Sequence, residues 1–382
     1  MKWFFTIASL FVFGLLTSDV NANNVTASIS GGNLYVYGDG NANDVKIESI
    51  EAGRITVSGS VSTVNGSNAP VTLNGWTNGI FVYLASGNDS LWLQSGDVRG
   101  VTHIDLGAGD DDVLIGDDDL LPAEFQDDPW MQMDPDFAAD AAGSMLRLNQ
   151  SLTVLGFAGQ DRAFVANCTV VGYATFNMGD AADDVYLGTD GNMVSTFFRN
   201  SVLIIPGAGA DIASVSQVNI ARDLTIDDPT NASMVDVFQS GVGGNLQIFT
   251  SPAVDNVIIE SVAVTGLLKA ILKDATDRLT LIDVSANRME AFLGSGNDNF
   301  NGTDLETPAL LVFLEDGADK SRVQQSAITN SYYYGAGGDD YFAVRTTRGS
   351  TAYVYGDAGT DTLLQSGNSI GKVNTYSIER KL

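Results

Sequence analysis

An eight-residue phrase recurs along most of this 382-residue chain, and its spacing constrains the fold more than any other feature. Counted from its first residue, the phrase has Gly at position four, Asp at position six and an apolar residue at position eight. Clear copies run from Leu106 to Val113, from Leu293 to Phe300, from Gly335 to Phe342 and from Gly356 to Leu363. The chain must therefore be understood as a repeat before any single residue is assigned a role.

The period of the repeat is nearly constant. The aspartates at position six are Asp89, Asp111, Asp161, Asp183, Asp211, Asp255, Asp277, Asp298, Asp319, Asp340 and Asp361. From Asp255 onward every step is about 21 or 22 residues. Two periods separate Asp211 from Asp255, with Ser233 midway, and Asn43 precedes Asp89 by about two periods as well. A fixed period of this length is typical of a solenoid, in which each unit is stable only when stacked on its neighbours.

Each period contains short apolar runs with strand character, such as Phe81–Leu84, Leu91–Leu93 and Leu310–Leu314, separated by Gly, Asn and Asp turns. The 41 glycines and the lack of a sustained helical period argue against helical repeats. A period of about 21 or 22 residues accommodates three short strands and three corners. The sequence therefore predicts an all-β fold, a right-handed parallel β-helix of about 14 coils with three short strands per coil.

The chain divides into four segments, one of which contains an insertion. Residues 1–22 carry a basic start, an apolar run and a small-residue cleavage pattern, which predicts a secretory signal peptide. Residues 23–80 are less regular and are predicted to form an N-terminal cap and the first coils, because open solenoid ends expose strand edges. Residues 81–370 hold the repeats, interrupted by an acidic insertion at 117–145, and residues 371–382 are predicted to cap the C-terminal end.

The export signal predicts a secreted, extracellular or cell-surface protein, with the periplasm as an alternative. No later stretch is long and apolar enough to predict a membrane span. The net charge of −28 argues against nucleic acid as a partner, because phosphate neutralisation needs clustered Lys and Arg. The charge favours a cationic partner such as a multivalent metal ion, although solubility alone also explains it. The single cysteine, Cys168, lies in an apolar segment and is predicted to pack in the core.

The phrase resembles the glycine-rich nonapeptide of the RTX (hemolysin-type) calcium-binding proteins. The resemblance implies that turn carbonyls and the position-six aspartates of stacked turns coordinate Ca²⁺. Position four is alanine in three copies, at Ala181, Ala253 and Ala275. Gly at four and Asp at six occur together in the remaining copies, whose predicted calcium ligands are Asp89, Asp111, Asp161, Asp211, Asp298, Asp319, Asp340 and Asp361.

Physical arguments support this reading and also its alternative. Carboxylates stacked one strand layer apart repel each other unless a cation intervenes, and Ca²⁺ takes six to eight oxygen ligands. Gly at position four would supply the backbone angles that turn carbonyls toward the ion. The alternative is a ladder of turns without metal, since Gly, Asn and Asp are also favoured in turns for their backbone conformation.

The function predicted from these features is a calcium-binding β-solenoid with a structural, matrix or adhesion role and no enzymatic activity. The alternative is a secreted β-helix polysaccharide lyase or glycoside hydrolase, which would need converging acids or a base beside Arg or Lys. His103, the only histidine, has no partner identifiable by spacing and is predicted to be a strand residue. Tyr332–Tyr334 and Tyr353–Tyr355 alternate along strands, so some rings must face solvent, where polysaccharide or cell-surface components could contact them.

Overall fold

A computed structural model describes residues 23–51, 53–94, 96–116, 145–188 and 196–382. The predicted signal peptide lies outside the described residues, as does the predicted insertion 117–145 except for its last residue.

All described elements are β-strands, and they form a parallel β-solenoid of about 12 turns. The all-β, parallel class predicted from the repeat is confirmed, whereas the predicted number of 14 coils was slightly too high. The reason lies at the N-terminus, where the first strands pair antiparallel instead of winding into complete coils.

The N-terminal strands are β1 Asn24–Ser30, β2 Asn33–Tyr37, β3 Asp44–Glu51, β4 Gly53–Ser58, β5 Thr63–Val64 and β6 Val71–Trp76. β1 pairs antiparallel with β2, while β4 pairs antiparallel with both β3 and β6. These hairpins close one end of the solenoid, which would otherwise present unpaired backbone groups.

Each following coil contributes up to three strands, one to each of three faces, here called A, B and C. Face A follows the position-six aspartate and comprises β8 Ser90–Leu93, β11 Asp112–Gly116, β14 Arg162–Ala166, β17 Asp184–Gly188, β20 Ile212–Ser216, β23 Met234–Phe238, β28 Asn299–Thr303, β30 Lys320–Gln324, β32 Tyr341–Arg345, β34 Thr362–Ser366 and β36 Arg380–Lys381. Face B comprises β9 Asp97–Val98, β12 Leu146–Leu148, β15 Cys168–Val170, β18 Thr196–Phe198, β21 Val218–Ile220 and β24 Gly241–Val242. Face C comprises β7 Ile80–Tyr83, β10 Thr102–Ala108, β13 Leu152–Ala158, β16 Ala174–Asp180, β19 Val202–Ile205, β22 Leu224–Asp227 and β25 Leu246–Phe249.

Toward the C-terminus the strands of neighbouring faces merge. The merged strands are β26 Asn256–Ile271, β27 Arg278–Phe292, β29 Glu306–Phe313, β31 Ala327–Tyr334, β33 Arg348–Tyr355 and β35 Ser369–Tyr376. The pairing of β26 with β27 shifts register between Val264 and Leu267. Val264 lies opposite Ala286, and Leu267 lies opposite Arg288. The step along β26 is therefore three residues, whereas the matching step along β27 is two. The later coil is therefore one residue shorter at this bulge, and this is where the longer period of the repeat gives way to the shorter one.

The interior of the solenoid is filled by the apolar residues of alternate strand positions. On face A the residue at position eight points inward, as Val113, Phe300, Phe342 and Leu363 show by being at most 1 % exposed. Cys168 in β15 is also fully buried, as predicted from its apolar surroundings. One continuous core cluster runs from Val25 to Leu363. Hydrophobic burial along the whole length therefore holds successive coils together.

Aromatic side chains form a row on the outside of face C. The rings of Phe292, Phe313, Tyr334, Tyr355 and Tyr376 follow one another with centroids 4.6–4.9 Å apart and nearly parallel planes. At this separation parallel rings cover one another's faces. The row therefore stabilises the stacking of coils and leaves mainly ring edges in contact with solvent, apart from Tyr376 at its end, which is 47 % exposed.

Candidate functional site

The position-six aspartates stand directly above one another at the corner between faces C and A, and we call them the acidic column. All eight predicted calcium ligands belong to it, together with Asp183, Asp255 and Asp277, the aspartates of the alanine-containing copies. Their exposed fractions are all between 0 and 2 %. The column is therefore part of the solenoid wall and not a row of solvated surface carboxylates.

Each aspartate in the column is bonded to the preceding coil through one carboxylate oxygen. The N–H of Asp298 donates to Oδ1 of Asp319 at 2.7 Å, and the N–H of Asp319 donates to Oδ1 of Asp340 at 3.0 Å. The N–H of Asp340 donates in turn to Oδ1 of Asp361 at 2.9 Å. The same bond joins Asp89 to Asp111 at 2.7 Å. Buried backbone donors need such partners, so the aspartates perform a structural task at every coil.

The column continues through coils that lack an aspartate at position six. The N–H of Asn43 donates to Oδ1 of Asp89 at 2.6 Å, and the N–H of Ser233 donates to Oδ1 of Asp255 at 2.8 Å. Spacing places Ser233 at a column position, and the structure confirms that placement. Spacing also places Asn43 in the column but two periods before Asp89. The direct bond between them shows that only one coil separates them, because the antiparallel strands β4 and β6 occupy the intervening residues. The column thus begins at the residue that precedes β3.

Two acidic residues complete the column from positions that spacing does not indicate. Asp228, five residues before Ser233, accepts a hydrogen bond from its hydroxyl at 2.5 Å between Oγ and Oδ2. Asp228 is fully buried and supplies the carboxylate that the Ser233 coil otherwise lacks. At the C-terminal end, Oε2 of Glu379 accepts the N–H of Asp361 at 2.8 Å. The sequence shows only that each of these acidic residues lies about one strand layer from a column position. That spacing can be recognised as part of the column only when the coils are stacked.

The glycines at position four are required by the approach of neighbouring coils. A Cβ atom at Gly338 would lie 1.7 Å from the carbonyl oxygen of Gly317, and a Cβ at Gly109 would lie 1.7 Å from that of Gly87. In these coils the position-four carbonyl therefore points along the solenoid at the position-four glycine of the next coil. The sequence predicts that these glycines turn carbonyls toward an ion. The packing of one coil against the next is a competing explanation for glycine at position four.

The second carboxylate oxygen of the column has no hydrogen-bond partner in most coils. Oδ2 is buried and unpaired in every described column aspartate except Asp161, whose Oδ2 accepts the N–H of Phe157 at 3.3 Å. An ionised carboxylate is strongly disfavoured when one oxygen is buried without a partner. Each of these oxygens therefore requires a proton or a cation.

Burial raises the pKa of every column carboxylate above the ordinary aspartate value of 3.8. The pKa is raised to about 8 in Asp183 and Asp277, to about 7 in Asp89, Asp161 and Asp319, and to about 6 in Asp111, Asp298 and Asp340. Loss of hydration is the largest cause in each case. The backbone N–H bond opposes this rise in pKa, and neighbouring carboxylates generally add to it, as Asp340 and Asp298 do for Asp319.

This rise in pKa predicts that stability falls as the pH increases. Because the folded-state pKa lies above the unfolded value of 3.8, the folded chain retains protons that the unfolded chain has released between about pH 4 and pH 8. We expect the melting temperature in the absence of metal to be highest near about pH 5 and to drop by several degrees by about pH 9. Asp277→Asn should flatten this dependence by removing one titrating group. A melting temperature that rises steadily across the same range would contradict the expectation.

The described side chains of the column do not form a complete set of calcium ligands. Successive coils offer one unpaired carboxylate oxygen each, while the other oxygen is bonded to a backbone N–H. Within the described ranges, no three Asp, Glu, His or Cys side chains converge as a metal-binding group. Since Ca²⁺ takes six to eight oxygens, the column provides negative charge for a cation without assembling a complete set of ligands from the described side chains.

His103 lies on β10, on the outside of face C. Its ring centroid is 6.4 Å from that of Phe81 and 5.6 Å from that of Tyr83. The histidine is therefore a strand residue packed beside aromatic rings, as predicted.

Comparisons with protein-family models, curated protein sequences and solved structures found no match for this chain. Within the part of the chain that the structure describes, no helix has the length and apolar character needed to cross a membrane.

Proposed function

We propose that this protein is an exported, non-enzymatic β-solenoid with a structural, matrix or adhesion role at the cell surface. The observation that supports the proposal best is the column of coil-to-coil bonds, which runs from Asn43 to Asp211 and again from Ser233 to Glu379. It makes the described solenoid one repetitive wall, and such walls present extended surfaces for contact with other molecules. The N-terminal signal pattern in the sequence supports export.

Two measurements test this proposal. Fractionation of the producing cells, with the protein followed by antibody, should place it in the medium or on the outer surface. Incubation of the purified mature chain with acidic polysaccharides should release neither reducing nor unsaturated sugar ends. Retention in the cytosol would overturn the export part. Steady release of sugar ends would favour the alternative, a polysaccharide lyase or glycoside hydrolase.

Calcium binding at the acidic column is a second candidate function, and the unpaired Oδ2 atoms favour it. A divalent cation between successive coils would neutralise carboxylates that burial otherwise keeps protonated. Under this proposal the ligands include Asp298, Asp319, Asp340 and Asp361, which follow one another without interruption. The resemblance of the phrase to RTX repeats points to the same ion.

The calcium proposal predicts a stabilisation that depends on pH. At about pH 8, where most of the column would be ionised, we expect saturating calcium to raise the melting temperature by several degrees. A chelator should reverse the effect, and magnesium should produce less of it because it demands a tighter octahedral shell. At about pH 5 the column is protonated and calcium should have little effect. Indifference to both calcium and chelator at the higher pH would leave the column as a purely structural ladder.

A further inference from the structure

Stacking of irregular coils gathers an aromatic and two basic side chains at the corner between faces B and C. Four successive coils have an equivalent residue at this corner: Tyr173, Ser201, Asp223 and Asn245. They are equivalent because the backbone carbonyl of each accepts a hydrogen bond from the N–H of the residue that begins the face C strand of the preceding coil. Arg199 lies two residues before Ser201, and Arg222 directly precedes Asp223. The corner therefore carries Tyr173 and the two arginines on three consecutive coils.

This corner borders a groove on the solenoid surface. One depression of about 430 Å³ is lined by Arg199, Arg222 and Asp223. A second, of about 360 Å³, shares Asp223 and extends across face C past Thr225 and Gln247 to Tyr173. We call the two together the arginine groove. Thr225 and Gln247 are paired in register on β22 and β25, so their side chains follow one another along the floor.

The arginines of the groove have no acidic partner among the described residues. Both are exposed, and neither forms an ion pair there, although the chain has 47 acidic and only 19 basic residues. The guanidinium of Arg199 lies 5.3 Å from the ring centre of Phe197, which holds it against the wall. Asp223 lines both depressions and forms no ion pair with either arginine, and its Oδ1 accepts the N–H of Asn245 at 2.8 Å. Within the described residues, the groove thus presents two exposed arginines that form no ion pair, with the Asp223 carboxylate beside them.

Glycines beside the arginines keep this part of the groove open. A Cβ atom at Gly244 would lie 2.4 Å from Oδ1 of Asp223, and a Cβ at Gly243 would lie 2.5 Å from the carbonyl oxygen of Ala221. Side chains at these positions would collide with the wall. The wall therefore requires glycine there, and these two glycines line the depression beside Arg222.

We propose that the arginine groove binds a carboxylated polysaccharide, with Arg199 and Arg222 holding uronate carboxylates. A guanidinium pairs with a carboxylate through two parallel hydrogen bonds. Thr225 and Gln247 offer hydroxyl and amide groups to sugar hydroxyls. Tyr173, which is 60 % exposed, offers a ring with an apolar body and a polar tip. The inference deepens the proposed matrix or adhesion role, on which it rests, by naming the class of ligand.

The net charge of −28 opposes a polyanion at long range but not at contact. At an ionic strength of about 0.15 M the screening length is about 8 Å, whereas at about 0.01 M it is about 30 Å. Distant carboxylates are therefore screened at the higher salt concentration, which leaves the two arginines and Asp223 as the charges closest to a ligand in the groove. Binding is expected to be measurable at the higher ionic strength and weaker at the lower one.

The test measures binding of the mature chain to polygalacturonate in a calcium-free, chelator-containing buffer of about 0.15 M ionic strength. Fully methyl-esterified polygalacturonate serves as the matched neutral probe. We expect binding to the acid form only. The double change Arg199→Gln with Arg222→Gln should weaken it at least about tenfold, because two charge-assisted contacts are lost. The matched double change Arg322→Gln with Arg345→Gln, at exposed sites near the C-terminal end, should leave it unaltered.

A second pair of variants examines the aromatic contact. Tyr173→Ala should weaken binding several-fold, whereas Phe157→Ala, at a residue 52 % exposed on β13, should not. Three results would overturn the proposal: equal binding of both probes, no binding of either probe, or unchanged affinity in the double arginine variant. Melting temperatures establish that the variants are folded, and the single arginine variants replace the double one if it is not.

The same samples separate failure of this inference from failure of the proposed function. The recovered polysaccharide is assayed for shortened or unsaturated chains. An intact polymer without binding rejects the groove and leaves the structural role standing. A cleaved polymer rejects the non-enzymatic role itself, whether or not the arginines matter.

Discussion

Asp319→Ala is expected to lower the free energy of unfolding by about 2–4 kcal/mol, while Asp319→Asn has little effect at neutral pH. Alanine removes the acceptor that the N–H of Asp298 uses at 2.7 Å and leaves that donor buried without a partner. Asparagine keeps an acceptor oxygen and cannot ionise. Because burial raises the pKa of Asp319 to about 7, the asparagine variant should become the more stable protein above that pH.

Urea denaturation of the mature chain at about pH 6 and about pH 9 measures both effects. Asp316→Ala is the matched control, since Asp316 belongs to the same turn but is exposed, and it should change the midpoint little. Equal loss of stability in the alanine and asparagine variants would show that the carboxylate charge is needed. That result would favour a bound cation over a protonated column.

Gly338→Ala is expected to destabilise the solenoid by more than about 3 kcal/mol, because two penalties coincide at this glycine. Its φ of +125° is a conformation that alanine strongly disfavours, and the added Cβ would lie 1.7 Å from the carbonyl oxygen of Gly317. The coil would have to move away from its neighbour, which breaks the acidic column at Asp340. Thermal and urea unfolding measure the loss.

Two further substitutions separate the penalties at Gly338. Gly31 has a φ of +58°, but an added Cβ atom there would have no neighbour within 4 Å, so Gly31→Ala should cost only about 1 kcal/mol. Ala275 occupies position four with a φ of +104°, and Ala275→Gly should stabilise the chain by about 1 kcal/mol through relief of backbone strain. Similar losses at Gly338 and Gly31 would contradict the steric explanation.

Much of the fold is predictable because the repeat is local in sequence. The strand runs alternate with a period of two, and the turn residues recur every coil, so a chain of parallel coils is the simplest arrangement. Ser233 is placed in the column by spacing alone, whereas the spacing of Asn43 predicts one coil too many between it and Asp89. The predicted coil number is too high because the hairpins of β1 to β6 use the same strand-forming residues in antiparallel pairs.

The candidate sites are less predictable. Spacing identifies the aspartates but cannot tell whether they face solvent, an ion or the backbone of the next coil. Asp228 and Glu379 escape prediction because each reaches the column from another position in its coil. The arginine groove escapes it because Tyr173, Arg199 and Arg222 belong to three different coils of unequal length and share no motif.

The sequence by itself determined the period, the position of Asp at six and Gly at four in most copies, and the alternation that makes the strands. These are local properties, since each depends on the preferences of neighbouring residues. Only the tertiary structure decided that the carboxylates point into the wall, that one oxygen of each bonds to the preceding coil, and that the glycines admit a carbonyl. The reason is physical: the partners of these atoms lie one coil away along the chain, and a hydrogen bond or a close contact exists only once the coils are stacked.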